Sequence, residues 1–243
     1  MAITEYFIRY LQRRDRLSDA DLARLRAMPT RHHQAAPGEV IVEPGPKASQ
    51  SCMMLRGLSA RSHRLKGRSE QQVITALHVP GDFVDLHGFV LNGLSHAVVA
   101  VGPVEVEFVD HSELIEITRN FPHLTRLLWR ATLIDAAIHR QWLVAAASLR
   151  SSAHLAHLLC EIYTRLNVVG AATGLQFSMP LLQRELADLL GYSPIHVNRA
   201  VRDLRDRGLV RWIGSDISIL DWNGLATLAR FDPDYLDLCR EPT

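Results

Sequence analysis

The spacing of apolar and polar residues divides the chain into four stretches. Residues 1 to about 30 have apolar side chains at helical spacing among many charges, and Ser18-Asp19 offers an N-terminal cap. From 31 to about 115 the apolar runs are short and end at Gly and Pro at roughly ten-residue spacing, which predicts an antiparallel sandwich or barrel. Residues 121–149 and 150–243 return to helical spacing, and the last stretch ends in a small β signal.

The predicted strands of the second stretch are delimited by glycine and proline. The run beginning at Cys52 is expected to end at Gly57, and Gly102-Pro103 is expected to separate two strands. The predicted strands are Val40–Val42, Cys52–Leu55, Val73–Val79, Ala97–Val101 and Val104–Val109.

The stretch 121–149 predicts one long helix, with Asn120 as its cap and Pro122 in its first turn. Six positions recur at spacings of 4, 3, 4, 3 and 4, which is the narrow seam typical of a partner helix: Leu127, Ala131, Ile134, Ile138, Gln141 and Ala145. A second stripe on the helix could pack on the β domain: Leu133, Ala137 and Val144. An ordinary buried helix is the alternative, but two apolar faces favour a dimerisation helix.

Composition places the chain among ordinary globular proteins. It has 243 residues, a net charge of +1, 47% hydrophobic residues and 22% charged residues, which excludes disordered and fibrous classes. Three distant cysteines without a CxxC motif argue against a disulfide scaffold and fit a reducing cytoplasm. The N-terminus is too charged for a signal peptide, and no apolar run approaches 18 residues, so we expect no membrane span.

The sharpest motif lies between 181 and 208. A first helix within residues 181–190 is expected to bury Leu182, Leu186 and Leu189, and Gly191 permits the left-handed turn that follows. Ser193 then caps a second helix with Pro194 in its first turn. Two β-branched runs, 209–213 and 216–220, flank Gly214-Ser215 as a hairpin. This is a helix-turn-helix followed by a wing.

The second helix presents a polar, basic face. Its predicted inward stripe is Val197, Val201 and Leu204, and the residues left outward are Ile195, His196, Asn198, Arg199 and Arg202. Five arginines against two aspartates give residues 191–212 a net charge of +3 inside a nearly neutral chain. Such a face can contact base edges and phosphates of double-stranded DNA. The alternative is a helix hairpin with a solvated charged face.

The whole chain, over about residues 30 to 222, resembles the Crp/Fnr superfamily of bacterial transcription regulators. The matching segments are Pro37-Gly38-Glu39, Leu55-Arg-Gly57, Pro80-Gly81-Asp82-Phe83, Glu185 to Gly191 and Val197-Asn-Arg199. The Asp-Leu-His run in the predicted roll and the His-Val-Asn-Arg run on the second helix are similar to those of one large subgroup. The resemblance implies an α+β chain in four parts: an N-terminal helical segment (1–30), a cyclic-nucleotide-type β-roll (31–120), a dimerisation helix (121–149) and a winged helix-turn-helix (150–243). It also implies a homodimer that binds a pseudo-palindromic operator and contacts RNA polymerase.

The resemblance also implies roles for particular residues. Arg199 matches the recognition-helix arginine that reads a guanine, and Ser193 matches a cap whose hydroxyl can touch phosphate. Pro194 and Ile195 stand where the cyclic-AMP receptors of the family have an Arg-Glu pair, so their operator should not transfer. His196 and Asn198 are the predicted substitutes. The full predicted contact set is Gln183, Ser193, Pro194, Ile195, His196, Asn198, Arg199 and Arg202.

The family's effector pocket aligns with Asp85, Leu86, His87, His96 and Ala97. Leu86 replaces a ribose-binding glutamate, and His96-Ala97 replaces a phosphate-binding Arg-Ser pair, so we expect no tight binding of cyclic AMP. No cysteine precedes Cys52, which argues against the family's N-terminal iron–sulfur cluster. The remaining hypotheses are no ligand at all, an unknown small-molecule effector, or heme ligated by His87. No cofactor and no metal is predicted.

Two rival classes predict other features. A cupin-like enzyme needs two histidines one residue apart on a strand, but His32-His33 are adjacent and no HxH occurs. No catalytic residues are therefore assigned. A nucleotide-binding regulatory subunit without DNA contact would not need the pattern at 178–220.

Overall fold

The structure is a computed structural model that describes residues 3–46, 48–64 and 72–238. It begins with two helices, α1 (Ile3–Gln12) and α2 (Asp19–Arg26). Ser18 caps α2 as expected: its hydroxyl accepts from the Asp21 N–H at 3.2 Å, and the Asp21 carboxylate accepts from the Ser18 N–H at 3.0 Å. This reciprocal pair satisfies two N–H groups that the start of the helix leaves free.

An antiparallel β-roll follows. Its main sheet has the order β1-β7-β4-β5, with β2 paired to β7, and β3 and β6 form a separate pair. The strands are β1 (Arg31–Ala35), β2 (Val40–Val42), β3 (Gly45–Pro46), β4 (Gln50–Arg64), β5 (Gln72–His78), β6 (Gly93–Leu94) and β7 (Ala97–Asp110). A 3-10 helix, Leu86–Phe89, lies between β5 and β6. The antiparallel β domain is confirmed.

Two predicted strand ends are wrong because the strands bend there and continue. β4 runs through Gly57 (φ +80°) and β7 runs through Gly102 (φ +73°), and the β4–β7 register shifts on both sides of Arg56. A Cβ on Gly57 would collide with the Pro103 carbonyl oxygen. The glycines therefore allow a coiled pair of long strands to bend at the point of closest backbone approach.

Helices connect the roll to the C-terminal part. They are α3 (His111–Asn120), α4 (Pro122–Ser148) and α5 (Ser151–Val169). Sequence periodicity did not predict α3, and for that reason the prediction that Asn120 caps the long helix is wrong. Asn120 is the last residue of α3, Phe121 alone links the two helices, and Pro122 begins α4.

The C-terminal part, as far as residue 238, contains a three-stranded sheet, three α-helices and a 3-10 helix. Its elements are β8 (Gln176–Ser178), α6 (Gln183–Leu190), α7 (Pro194–Asp206), β9 (Val210–Ile213), β10 (Asp216–Ile219), α8 (Trp222–Ala229) and a 3-10 helix, Pro233–Leu236. The hairpin β9–β10 is confirmed, and β8 adds a third strand beside β10.

Three apolar clusters hold these parts together. One fills the roll, a second joins α1, α2 and the 3-10 helix to α4, and a third joins α5 to the C-terminal part and to roll residues such as Leu58 and Leu77. Cys52 and Cys160 are buried and free, and Cys239 lies outside the described residues. In the stretches that the structure describes, no helix combines the length and apolar character needed to span a bilayer.

The two stripes of α4 face opposite to their predicted directions. Leu127, Ile134, Ile138 and Ala145 are buried inside their own chain, where the first three pack in the cluster with α1; Ala131 and Gln141 are half-buried. These six residues therefore do not form an exposed dimer seam. The exposed apolar side chains are Trp129 (62%), Leu133 (65%), Leu143 (72%) and Val144 (55%), so Leu133 and Val144 do not pack on the β domain.

Candidate nucleic-acid interface and ligand pocket

The turn between α6 and α7 is built from local interactions. Gly191 ends α6 in the left-handed region (φ +71°), where a side chain would be strained. Ser193 is the N-cap of α7; its hydroxyl lies 3.4 Å from the His196 N–H and 2.8 Å from His196 Nδ1. Pro194 occupies the first turn, where its missing N–H leaves no helix hydrogen bond unmade. The predicted cap and turn are confirmed.

The two helices pack through a stripe that differs slightly from the predicted one. In α7, Val197 and Leu204 are buried as expected, with Ala200 beside them. In α6, the prediction for Leu182 and Leu189 is wrong. Leu182 precedes the first turn and is exposed, and Leu189 is only half-buried. The buried residues of α6 are Leu186, Ala187 and Leu190, which belong to the same apolar cluster as the buried residues of α7.

The face of α7 away from this packing is free. Ile195, Asn198, Arg199 and Arg202 follow one another at helical spacing, so they share one side of the helix. Every residue of the predicted DNA-contact set is exposed: Gln183, Ser193, Pro194, Ile195, His196, Asn198, Arg199 and Arg202. Guanidinium and amide groups on such a surface can reach base edges in a major groove.

Some arginines of this region form ion pairs within the chain, and others do not. Arg207 binds Asp203 at 2.9 Å, and that hydrogen bond lowers the pKa of the Asp203 carboxyl. The side chains of Arg199 and Arg202 make no hydrogen bond or ion pair within the described part of the chain. On the wing, Arg211 is exposed beside Ile213, an apolar tip residue that the sequence analysis did not single out.

Residues 153–228 match the Crp-like helix-turn-helix domain family. The chain is 25% identical over 192 residues to the transcriptional activator protein FnrA of Stutzerimonas stutzeri, covering 79% of this chain and 78% of that one. It is also 25% identical over 165 residues to the transcriptional regulatory protein btr of Bordetella pertussis, covering 68% of each. Among solved structures, FixK2 from Bradyrhizobium japonicum superposes with a TM-score of 0.71 at 22% identity, covering 83% of this chain and 98% of that one.

The chain is a Crp/Fnr-type transcription regulator. Its helix-turn-helix is the DNA-binding domain, and the antiparallel sheet, helices and C-terminal helix-turn-helix follow the order expected from the sequence.

The predicted pocket residues of the regulator lie in different surroundings. Asp85 is buried, and its carboxylate accepts from the Cys52 N–H at 2.7 Å, so it holds the chain before the 3-10 helix rather than facing a ligand. Burial raises the pKa of Asp85 to about 7. Leu86 is buried in the cluster that contains α1, and Ala97 is half-buried at the start of β7. His87 and His96 are brought together, with ring centroids 5.3 Å apart.

Arg61 is a buried residue near the predicted pocket residues that the sequence analysis missed. From β4 it reaches α4, where its guanidinium lies 3.2 Å from the Asp135 carboxylate and 2.8 Å from His139 Nε2. It also donates to the Val84 carbonyl at 3.2 Å. The contact between Arg61 and Asp135 spans 74 residues, so no local pattern could have indicated it.

Space in this region is small. A cavity of about 40 Å³ lies between the roll, α1, α4 and α5, lined among others by Tyr10, His78, Leu86 and His87. Pockets for small organic ligands usually enclose about 300–1,000 Å³. A nucleotide or a heme would fit this space only if α4 moved away from the roll. In addition, the His87 ring already packs against His96.

Proposed function

We propose that the regulator works as a cytoplasmic homodimer that reads a pseudo-palindromic operator with α7 of each subunit. The observation that carries this proposal is the exposed face of α7, on which Arg199 and Arg202 are free while the opposite side is packed on α6. Arg199 is proposed to form two hydrogen bonds to a guanine, and Gln183 and Ser193 to contact phosphates.

The dimer is proposed to form along the exposed stripe of α4. Trp129, Leu133, Ala136, Leu143 and Ala147 lie on one face of α4 at spacings of 4, 3, 7 and 4, with the exposed Arg140 inside the seven-residue gap, and the three large apolar side chains among them are mostly exposed in the single chain. Large apolar side chains along one helix face are typical of a protein interface. In a two-fold symmetric dimer formed along this stripe, the two α7 helices would enter successive major grooves about 34 Å apart.

The effector is proposed not to be cyclic AMP. Leu86 and Ala97 offer no hydrogen-bond acceptor for ribose and no donor for phosphate, and Arg61 is already held by Asp135. The heme hypothesis through His87 receives no support from the small cavity. Because the relatives include transcriptional activators, contact with RNA polymerase is part of the proposal, and no catalytic activity is assigned.

Footprinting and an arginine variant test the proposal together. The purified full chain is footprinted on DNA upstream of its own gene and on a duplex selected from a random pool. We expect two protected half-sites one helical turn apart. Arg199→Ala should weaken binding to the selected duplex by about 1–3 kcal/mol, which is about 5- to 150-fold, with little effect on a scrambled duplex.

Arg207→Ala is the matched control, because Arg207 is exposed near the same helix but paired with Asp203. Its effect should be small and equal on both duplexes. An equal loss on selected and scrambled DNA in Arg199→Ala would refute base reading. Protection of a single half-site would refute the dimeric arrangement.

A further inference from the structure

Ile195 is a large apolar side chain that the fold of the chain does not use. It is 64% exposed, and it belongs to none of the three apolar clusters formed by the described residues. It does not start the helix either, because Ser193 supplies the cap and Pro194 occupies the first turn. A β-branched residue also has a lower helix propensity than alanine. Packing and helix formation therefore do not account for an isoleucine at this position.

Ile195 lies at the end of α7 that meets DNA. It is the second residue of this helix, and the N-terminal residues of a recognition helix contact base edges in the major groove. Around the helix it lies between Asn198 and Arg199, and Arg202 follows on the same side one turn later. Contacts of these polar groups with the bases would bring Ile195 against the floor of the groove.

The neighbouring His196 is directed away from this face. Successive residues of an α-helix are about 100° apart, so His196 lies to the side of the face that carries Ile195. Its Nδ1 is 2.8 Å from the Ser193 hydroxyl, which holds the ring at the cap of the helix. Ile195, and not His196, therefore occupies the middle of the face that carries Asn198 and Arg199.

An apolar side chain can recognise one feature of the major groove. The base edges there carry hydrogen-bond donors and acceptors, and the apolar group among them is the 5-methyl group of thymine. Contact between Ile195 and this methyl group removes apolar surface of both from water. Contact with the polar edge of another base would instead leave a donor or an acceptor without a partner.

We propose that Ile195 reads the 5-methyl group of a thymine in each half-site of the operator. Ile195 and Arg199 are four residues apart, which is about 6 Å along the helix axis, and successive base pairs are about 3.4 Å apart. The thymine, on either strand, should therefore lie within about two base pairs of the guanine that Arg199 is proposed to read. This inference rests on the proposed operator binding by α7 and adds a base preference to it.

Deoxyuridine substitution tests the contact, because uracil differs from thymine only in lacking the methyl group. The purified full chain is titrated with the selected duplex, in which each thymine within two base pairs of that guanine is replaced in turn, in both half-sites together. We expect one position at which replacement weakens binding about 15-fold, since burial of one methyl group changes affinity about fourfold in each half-site. Ile195→Ala should bind the thymine and deoxyuridine duplexes equally, and as weakly as the unaltered chain binds the deoxyuridine duplex.

Ile115→Ala is the matched control. It makes the same change at an exposed isoleucine of α3, outside the DNA-binding part, and should keep the full difference between thymine and deoxyuridine. Equal affinity for the two bases at every tested position would overturn the proposal. So would a difference that Ile195→Ala leaves unchanged, or a selected half-site without thymine in the tested positions.

The unmodified duplexes separate this proposal from the proposed function. A chain that prefers the selected duplex to the scrambled one, but does not distinguish thymine from deoxyuridine, would overturn the role of Ile195 and leave operator binding standing. A chain that prefers neither duplex would overturn operator binding, and the thymine contact with it.

Discussion

Arg165 joins α5 to the roll through a buried ion-pair network. Its guanidinium lies 2.6 Å from the Asp82 carboxylate and 3.0 Å from that of Glu161, and it donates to the Leu77 carbonyl at 2.9 Å. Burial by itself lowers the pKa of Arg165, but the Asp82 and Glu161 carboxylates outweigh it and raise that pKa. The perturbation of interest is Arg165→Met, which keeps an apolar side chain of similar length but removes the charge.

The expected cost follows from what each carboxylate retains. Removing one partner of a buried ion pair usually costs about 3–5 kcal/mol. Glu161, which is fully buried, still accepts from Trp142 Nε1 at 2.9 Å and from the Tyr235 hydroxyl at 2.8 Å. Asp82 still accepts from a backbone N–H at 2.8 Å. We therefore expect a loss near the lower end, about 3 kcal/mol of unfolding free energy.

Urea unfolding followed by circular dichroism measures this loss. With a slope of about 3 kcal/mol per M, the midpoint of Arg165→Met should fall by about 1 M. The control is Arg207→Met, which breaks the exposed Asp203 pair and should cost about 0–1 kcal/mol. If Arg165→Met lowers the midpoint no more than Arg207→Met does, the buried network does not stabilise the junction between roll and α5.

The α4 stripe, the behaviour in acid and the strand bend give three shorter tests. Leu133→Asp should yield monomers at micromolar concentration by sedimentation while its circular dichroism stays native, because Leu133 is exposed in the single chain. Ile134→Asp should instead unfold the chain, because it buries a charge. A dimeric Leu133→Asp would place the interface elsewhere. Burial lowers the pKa of His154 from the ordinary 6.5 to about 4. Between pH 6.5 and pH 4 the His154 imidazole is therefore protonated in the unfolded chain but neutral in the folded chain. The free energy of unfolding falls as the pH falls through this range. His154→Gln should show a smaller drop in urea midpoint between pH 7 and pH 5, and an equal drop would contradict the assignment. Gly57→Ala should cost more than about 1 kcal/mol in the same unfolding assay, since φ is +80° and the Pro103 carbonyl blocks the new methyl; a neutral effect would show that the bend tolerates a side chain.

The helix-turn-helix was predictable because its determinants lie within a few residues of one another. Gly191 permits the turn, Ser193 caps the helix and Pro194 fits its first turn, and each acts on backbone groups at most four positions away. The wing hairpin is equally local. The outward residues of α7 follow from helical spacing once Val197 and Leu204 are assigned to the inside.

The strand ends and α3 were not predictable in the same way. Gly and Pro usually end strands, but Gly57 sits where β4 crosses Gly102-Pro103 of β7, and that approach joins residues distant along the chain. A bend and a strand end have the same local composition. Only the pairing of β4 with β7 distinguishes them.

The sequence by itself determined the order of the helical and β parts, the turn chemistry and the exposed basic face of α7, because these depend on interactions between near neighbours. It also showed that α4 has two apolar stripes, but spacing is the same whichever stripe faces the core. The packing of α1 and the roll onto α4 decided that Ile134 is inside and Leu133 outside. The tertiary structure also brought Arg61 next to Asp135, and His63 and His87 next to His96. These partners lie up to 74 residues apart, so their contacts depend on how the whole chain folds and not on local sequence.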